Sequence, residues 1–102
     1  MKAMSAKEAY DAWRAGEVKI VDVREEHEYE TTHVPDMPLI PMSELTARLD
    51  ELPEGRLVIV CRSGRRSADV TDYLNELGEY GEVANLEGGI LAWAAEDRKS
   101  VV

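Results

Sequence analysis

One short segment of the chain combines a sulfur nucleophile with a group of cations. The single cysteine opens a run of seven residues: Cys61, Arg62, Ser63, Gly64, Arg65, Arg66 and Ser67. We call residues 61–67 the cysteine loop. Thiolate is the nucleophilic form of cysteine, and neighbouring guanidinium groups lower the pKa of a thiol. Three arginines lie here on a chain whose formal net charge is −9. The composition therefore predicts a stabilised thiolate in an anion-binding setting.

The flanking segments predict where the cysteine loop lies in the fold. Residues 57–60, Leu-Val-Ile-Val, are apolar and rich in β-branched side chains, which favours a buried strand. Apolar residues repeat at helical spacing after the loop, and Gly78 supplies a C-terminal stop. The first turn of a helix has unpaired N–H groups and partial positive charge. We therefore expect the backbone N–H groups of residues 62–67 to surround an anionic Cys61 sulfur.

A structural role for Cys61 is the alternative interpretation. A lone cysteine after a Val-Ile-Val run is often a small buried hydrophobe. A core cysteine, however, does not need a glycine-containing loop with three arginines beside it, so we favour a reactive thiol.

Two charged residues end the second predicted strand, residues 18–23. Asp22 and Arg24 are two positions apart, so their side chains lie on the same face of an extended chain. A catalytic carboxylate is conceivable at the C-terminal edge of a parallel sheet. We favour structural support, in which the two side chains form an ion pair that holds the neighbouring loops.

The two histidines suggest neither a metal site nor a base. His27 stands among glutamates on a segment that reads as a solvated acidic face. His33 precedes Val34-Pro35 in extended chain, where a hydrogen-bonded loop histidine is favoured over a general base. Two histidines and one cysteine have no recognisable zinc spacing, so no metal and no cofactor are expected.

The order of elements predicts an α/β fold. A capping box at Ser5–Glu8 starts the first helix, whose Tyr10 and Trp13 are expected to pack on the sheet rather than to bind a ligand. Further helices are expected at 25–32, 43–52, after the cysteine loop and at 90–94, with Trp93 in the core. Strands alternating with helices favour a mostly parallel sheet covered on both faces. Strands are predicted at residues 2–4, 18–23, 38–41, 57–60 and 83–86.

The cysteine loop resembles the active-site loop of rhodanese-domain sulfurtransferases. Three other segments resemble that family in the family's order: Ile20 to Glu25 with its Asp-x-Arg, Glu28-Tyr29 followed by His33-Val34-Pro35, and Leu86 to Gly89 followed by Ala92-Trp93. Together the segments span about residues 2–97. The resemblance implies one rhodanese domain over residues 1–102, with a five-stranded, mostly parallel sheet, helices on both faces and the cysteine loop at its C-terminal edge.

The resemblance also implies a reaction. Cys61 takes the outer sulfur of an anionic donor, as a persulfide, and passes it to cyanide or a thiol. Thiosulfate, glutathione persulfide and a persulfide on a partner protein are all compatible donors. The remaining loop residues, 62–67, are expected to bind the donor and the persulfide.

Two other functions stay open. A cysteine phosphatase or arsenate reductase also has a cysteine loop that ends in arginine, but only four residues, 62–65, separate Cys61 from Arg66 here. Phosphatases of the related fold have a longer loop, and the shorter loop suits a sulfur atom better than a phosphate. The other alternative is a non-catalytic binding or sensory module of the rhodanese type, and the presence of the cysteine speaks against it.

Composition excludes some partners and suggests a compartment. Twelve basic against twenty-one acidic residues argue against nucleic acid and anionic membranes as partners. No apolar run approaches the length that crosses a bilayer. A lone free thiol suits a reducing cytosol, so a cytoplasmic location is expected.

Overall fold

The computed structural model describes residues 2–102, in which four parallel strands form a sheet with helices on both faces. The strand order is β1-β4-β3-β2, and every neighbouring pair is parallel. The predicted α/β class is confirmed. The strands are β1 (Ala3–Met4), β2 (Lys19–Asp22), β3 (Leu57–Val60) and β4 (Ala84–Leu86), and the helices are α1 (Ala6–Arg14), α2 (Glu26–Thr31), α3 (Arg65–Leu77) and α4 (Gly89–Glu96).

The sheet separates two apolar clusters, as the two-residue period of a strand requires. Val58 and Val60 of β3 contribute to the cluster that α1 and α4 cover. Leu57 and Ile59 contribute to the cluster on the other face, which includes residues of α3. All four side chains are buried, so β3 lies between the two apolar clusters. The cysteine loop starts at the C-terminal end of this strand.

The predicted fifth strand, residues 38–41, is reduced to a single bridge between Leu39 and Asp22. Two backbone hydrogen bonds remain: Asp22 N–H donates to the Pro38 carbonyl and Ile40 N–H donates to the Asp22 carbonyl, both at 2.9 Å. Pro38 has no N–H to pair with β2, and beyond Ile40 the contact continues with the Met42 N–H, which donates to the Val23 carbonyl at 2.9 Å.

The prediction of an α-helix over residues 43–52 is wrong. The segment forms two 3₁₀ turns, Met42–Ala47 and Leu49–Glu51. Ser43 does not cap it, because its hydroxyl and N–H donate to the Glu25 carboxylate at 2.7 and 3.3 Å. Without a side-chain cap the first turn is not fixed in the α form.

Other local expectations are confirmed. Ser5 and Glu8 form the capping box of α1, and Gly78 ends α3 in the left-handed conformation. Tyr10 and Trp13 pack, as expected, against the apolar cluster on this face of the sheet. Their rings also meet the Trp93 ring of α4 edge-on, with centroids 5.6 and 5.2 Å away. Trp93 itself is fully buried, as expected. Among the described residues, no helix has the length and apolarity that a membrane span needs.

Candidate active site

The Cys61 thiol lies directly after β3 and is enclosed by hydrogen-bond donors. The residue is 1% exposed. Three donors reach Sγ: the Gly64 N–H at 3.1 Å, the Ser67 N–H at 3.4 Å and the Ser67 hydroxyl at 3.2 Å. Gly64 precedes α3 and Ser67 lies in its first turn, so the strand-to-helix junction supplies all three.

Gly64 makes the tight turn that brings these donors together. Its φ is 101°, in the region that residues with a Cβ rarely adopt. A Cβ at this position would also lie 3.2 Å from the Gly88 backbone nitrogen. Glycine therefore allows the backbone to turn under Gly88 while its own N–H faces the sulfur.

Helix α4 holds the outer side of the cysteine loop. Its Ile90 N–H donates to the Cys61 carbonyl at 2.8 Å, and the Leu91 N–H donates to the Arg62 carbonyl at 3.2 Å. A Cβ on Gly89 would overlap both carbonyl oxygens, so glycine permits this close approach. Because a trans peptide directs its C=O and N–H to opposite sides, the bond from α4 to the Arg62 carbonyl leaves the following N–H, that of Ser63, directed away from α4.

Burial and hydrogen bonding act on the pKa of Cys61 in opposite directions. Burial raises it, whereas hydrogen bonds from the Ser67 hydroxyl and from the N–H groups of Ser67, Gly64 and Ser63 lower it. The donors outweigh burial, so the pKa of Cys61 lies below its ordinary value. The site thus favours the nucleophilic thiolate without a neighbouring base.

Asp22 and Arg24 form a buried ion pair beside the site. The guanidinium donates to the Asp22 carboxylate at 2.8–3.1 Å, and the two residues are 0% and 3% exposed. Arg24 Nη2 also donates to the Thr32 carbonyl at 2.8 Å. The pair therefore connects the end of β2 to the end of α2.

The three loop arginines occupy different environments. Arg66 donates through Nη1 and Nη2 to the Glu28 carboxylate at 2.6 and 2.9 Å. These bonds lower the pKa of Glu28 to about 2 and raise that of Arg66. Arg62 and Arg65 are exposed and form no ion pair within residues 2–102. Arg62 lines a surface depression of about 260 Å³ between α2 and α4.

Neither histidine contacts the Cys61 thiol among the described residues. His33 stacks on the Tyr29 ring with centroids 4.2 Å apart, and its Nδ1 donates to the Tyr29 carbonyl at 2.8 Å. His27 is exposed on α2. No cluster of three His, Cys, Asp or Glu side chains that could hold a metal occurs in the described part of the chain.

Two residues contact the cysteine loop directly although the sequence analysis assigned them no role in the site. Glu28 was one acid among several on α2, and only the fold brings it to Arg66. Asn85 lies under the loop, where its Nδ2 donates to the Gly64 carbonyl at 3.1 Å and its Oδ1 accepts from the Ser67 hydroxyl. A usable signal existed for Asn85, since an amide within the apolar strand Val-Ala-Asn-Leu is unusual at a buried position.

Comparison with known proteins agrees with this geometry. The family model of the Rhodanese-like domain matches residues 5–96. A protein of Allochromatium vinosum named "Sulfurtransferase" is 44% identical over 79 residues, which are 76% of this chain and 73% of that protein.

Solved structures agree as well. A rhodanese-related protein from Thermoplasma volcanium has a TM-score of 0.86 and 28% identity, over 100% of this chain and 98% of that one. A rhodanese-like domain protein from Staphylococcus aureus has a TM-score of 0.81 and 35% identity, over 91% of each chain. Sequence match, structural match and the conformation of the cysteine loop lead to one conclusion: the chain belongs to the rhodanese-like family and has a relative named as a sulfurtransferase.

Proposed function

We propose that this chain is a sulfurtransferase that moves sulfane sulfur through a persulfide on Cys61. The observation that carries the proposal is the set of three donors at 3.1–3.4 Å from a buried Sγ. The two backbone N–H donors, of Gly64 and Ser67, are held in place by the fold and stabilise an anionic sulfur without further reorganisation. Membership of the rhodanese-like family and the sulfurtransferase relative support the same class of reaction.

The first half-reaction loads the sulfur. With thiosulfate as donor, the Cys61 thiolate attacks the outer sulfane sulfur and a new S–S bond forms. The donor's own S–S bond breaks, and its electron pair leaves with sulfite. The product is a Cys61 persulfide with one negative charge on its outer sulfur, and no proton moves.

The second half-reaction unloads it. Cyanide or a thiolate acceptor attacks the outer sulfur, and the electron pair of the broken S–S bond returns to Sγ. The products are thiocyanate or an acceptor persulfide, together with the original thiolate. Two separate transfers through a covalent intermediate predict ping-pong kinetics. The chain has one cysteine, so the persulfide cannot close into an internal disulfide and needs an external acceptor.

Different arginines suit different tasks in this reaction. Arg62 and Arg65 are exposed beside the loop, so they are placed to attract an anionic donor. Arg66 is bonded to Glu28, which partly neutralises its charge. We therefore assign donor attraction to Arg62 and Arg65, and support of the loop to Arg66.

Mass spectrometry of the intact protein tests the proposal. After treatment with thiosulfate or glutathione persulfide and removal of excess donor, the wild type should gain one sulfur atom. Cys61→Ser should gain none, and subsequent cyanide should remove the added atom from the wild type and yield thiocyanate.

Two results would contradict it. A wild type that gains no sulfur from any donor in the panel would indicate a non-catalytic rhodanese-type module. Cys61-dependent hydrolysis of an aryl phosphate without sulfur transfer would indicate a phosphatase.

A further inference from the structure

Asn85 is a buried amide held in one orientation beneath the cysteine loop. It is 4% exposed in β4, and both ends of its side chain are occupied. The Gly64 carbonyl can only accept a hydrogen bond, so the NH₂ group must face it, at 3.1 Å. The amide oxygen must then face the Ser67 hydroxyl.

The Ser67 hydroxyl therefore lies between two acceptors although it has one proton. Its oxygen is 3.2 Å from Cys61 Sγ and within hydrogen-bond distance of Asn85 Oδ1. While Cys61 is a thiol, its S–H can donate to the serine oxygen, and the hydroxyl donates to Asn85. When Sγ is a thiolate it becomes the stronger acceptor, and the hydroxyl must turn to it.

We propose that Asn85 is a positioning residue that holds the Ser67 hydroxyl proton while Sγ is uncharged and releases it to Sγ whenever negative charge is on that sulfur. In the persulfide the charge lies on the outer sulfur, so the hydroxyl points back to Asn85. In the unloading step the electron pair returns to Sγ, and the hydroxyl rotates onto it. This role in turnover rests on the proposed function, whereas the competition of two acceptors for one proton is a property of the resting thiol.

A double-mutant cycle on the full chain tests the competition. Asn85→Ala removes the competing acceptor, so it should lower the Cys61 pKa further when Ser67 is present than in the Ser67→Ala background. Loss of the amide bond to Gly64 is common to both backgrounds and cancels in the cycle. The expected coupling is about one pKa unit, the size of a hydrogen bond to a charged group.

The readouts are the ultraviolet absorbance of the thiolate and the pH profile of iodoacetamide alkylation. A Ser67-dependent coupling supports the proposal. Equal effects of Asn85→Ala in the two backgrounds would overturn it, because Asn85 would then act only through the loop backbone.

A second measurement needs no change at Asn85, in case that variant does not fold. The side-chain amide signals of Asn85 in a nitrogen-15 labelled wild type should shift with the titration of Cys61, and Ser67→Ala should abolish most of that shift. Signals that stay constant, or that respond equally in both proteins, would overturn the inference.

The outcome is separable from that of the proposed function. A persulfide that forms without Ser67-dependent coupling overturns this inference alone. Coupling in a protein that never accepts sulfur supports the shared proton and overturns the proposed function.

Discussion

The lowered pKa of Cys61 depends on hydrogen-bond donors rather than on a base. Gly64 and Ser67 provide the three bonds to Sγ, and no histidine bonds to Sγ among the described residues. A thiolate stabilised in this way needs no proton acceptor at the moment of attack, which suits a reaction between anions in which no proton moves. The geometry of individual loop residues should therefore determine the thiol pKa directly.

Substitution of Gly64 tests this dependence. Gly64→Ala should destabilise the fold by about 1–2 kcal/mol, because alanine is strained at a φ of 101° and its Cβ meets Gly88. It should also raise the Cys61 pKa, since the Gly64 N–H is displaced from Sγ. Urea unfolding and a pH profile of alkylation measure the two effects.

Gly55→Ala is the matched control. Gly55 has a φ of 103°, and a Cβ there meets nothing within 4 Å. It should share the backbone strain without changing the thiol pKa. An unchanged Cys61 pKa in Gly64→Ala would contradict the role assigned to the Gly64 amide.

At the scale of elements, two helices hold the cysteine loop from outside. Helix α4 binds its first two carbonyls, and α2 binds Arg66 through Glu28. Helix α2 is itself attached to β2 through the Asp22–Arg24 pair and the Thr32 carbonyl. The loop is therefore connected to the sheet in two ways. It follows β3 directly in the chain, and it is bonded to α2, which is attached to β2.

Asp22→Asn tests the second route. The substitution leaves the Arg24 cation buried without a charged partner, so we expect a loss of about 3–5 kcal/mol in the free energy of unfolding. The exposed pair Lys7–Asp11 offers a control, because solvent screens it, and Asp11→Asn should lose far less of the free energy of unfolding than Asp22→Asn. Urea denaturation measures both. A small loss at Asp22 would contradict a structural role for this pair.

The Glu28–Arg66 pair predicts a pH dependence of stability. The pKa of Glu28 is lowered from 4.5 to about 2, so its contribution is present above pH 4.5 and is lost as the pH falls through 2. Glu28→Gln should therefore be less stable than the wild type by about 1 kcal/mol at pH 7, and the difference should shrink between pH 4.5 and pH 2.

Unfolding in urea over this pH range measures the Glu28 effect, with Glu26→Gln on the same helix as the control. A difference between wild type and Glu28→Gln that does not vary with pH would show that the carboxylate charge contributes nothing to the contact.

At the scale of the whole molecule, the cysteine loop is a cationic site on an acidic protein. The net charge of −9 repels anions in general, and the arginines of the loop oppose that field locally. Because Arg62 and Arg65 are exposed, salt should screen their attraction for a donor. We therefore expect any salt sensitivity of donor binding to depend on the site within the charge distribution of the entire chain.

Raising the ionic strength should increase the KM for thiosulfate. The Debye length is about 8 Å at physiological salt and about 3 Å at 1 M, so the field of exposed arginines is largely screened at high salt. Arg62→Gln should reduce the salt dependence. Arg98→Gln should not, since Arg98 follows the C-terminal end of α4 whereas the loop contacts its N-terminal end. A KM that does not respond to salt in the wild type would argue against electrostatic attraction of the donor.

Local sequence determined the strand-to-helix junction around Cys61. The β-branched run of residues 57–60, the glycine at position 64 and the stop at Gly78 each act through their own backbone preferences. The strand and the stop lie where the sequence predicted. The capping box at Ser5 is local in the same sense. A prediction from local sequence was wrong where a distant residue competed for the same group. The Ser43 hydroxyl bonds to Glu25 instead of capping a helix.

Only the tertiary structure decided what surrounds the loop. Glu28 reaches Arg66 across 38 positions, and Asn85 reaches Ser67 across 18. Such contacts depend on the order in which strands assemble in the sheet, which side-chain periodicity does not specify. The sequence by itself therefore determined the position of the single cysteine and the turn that presents it. The tertiary structure decided which loop arginine is paired with Glu28 and which amide oxygen accepts from the Ser67 hydroxyl, because those contacts follow from long-range packing.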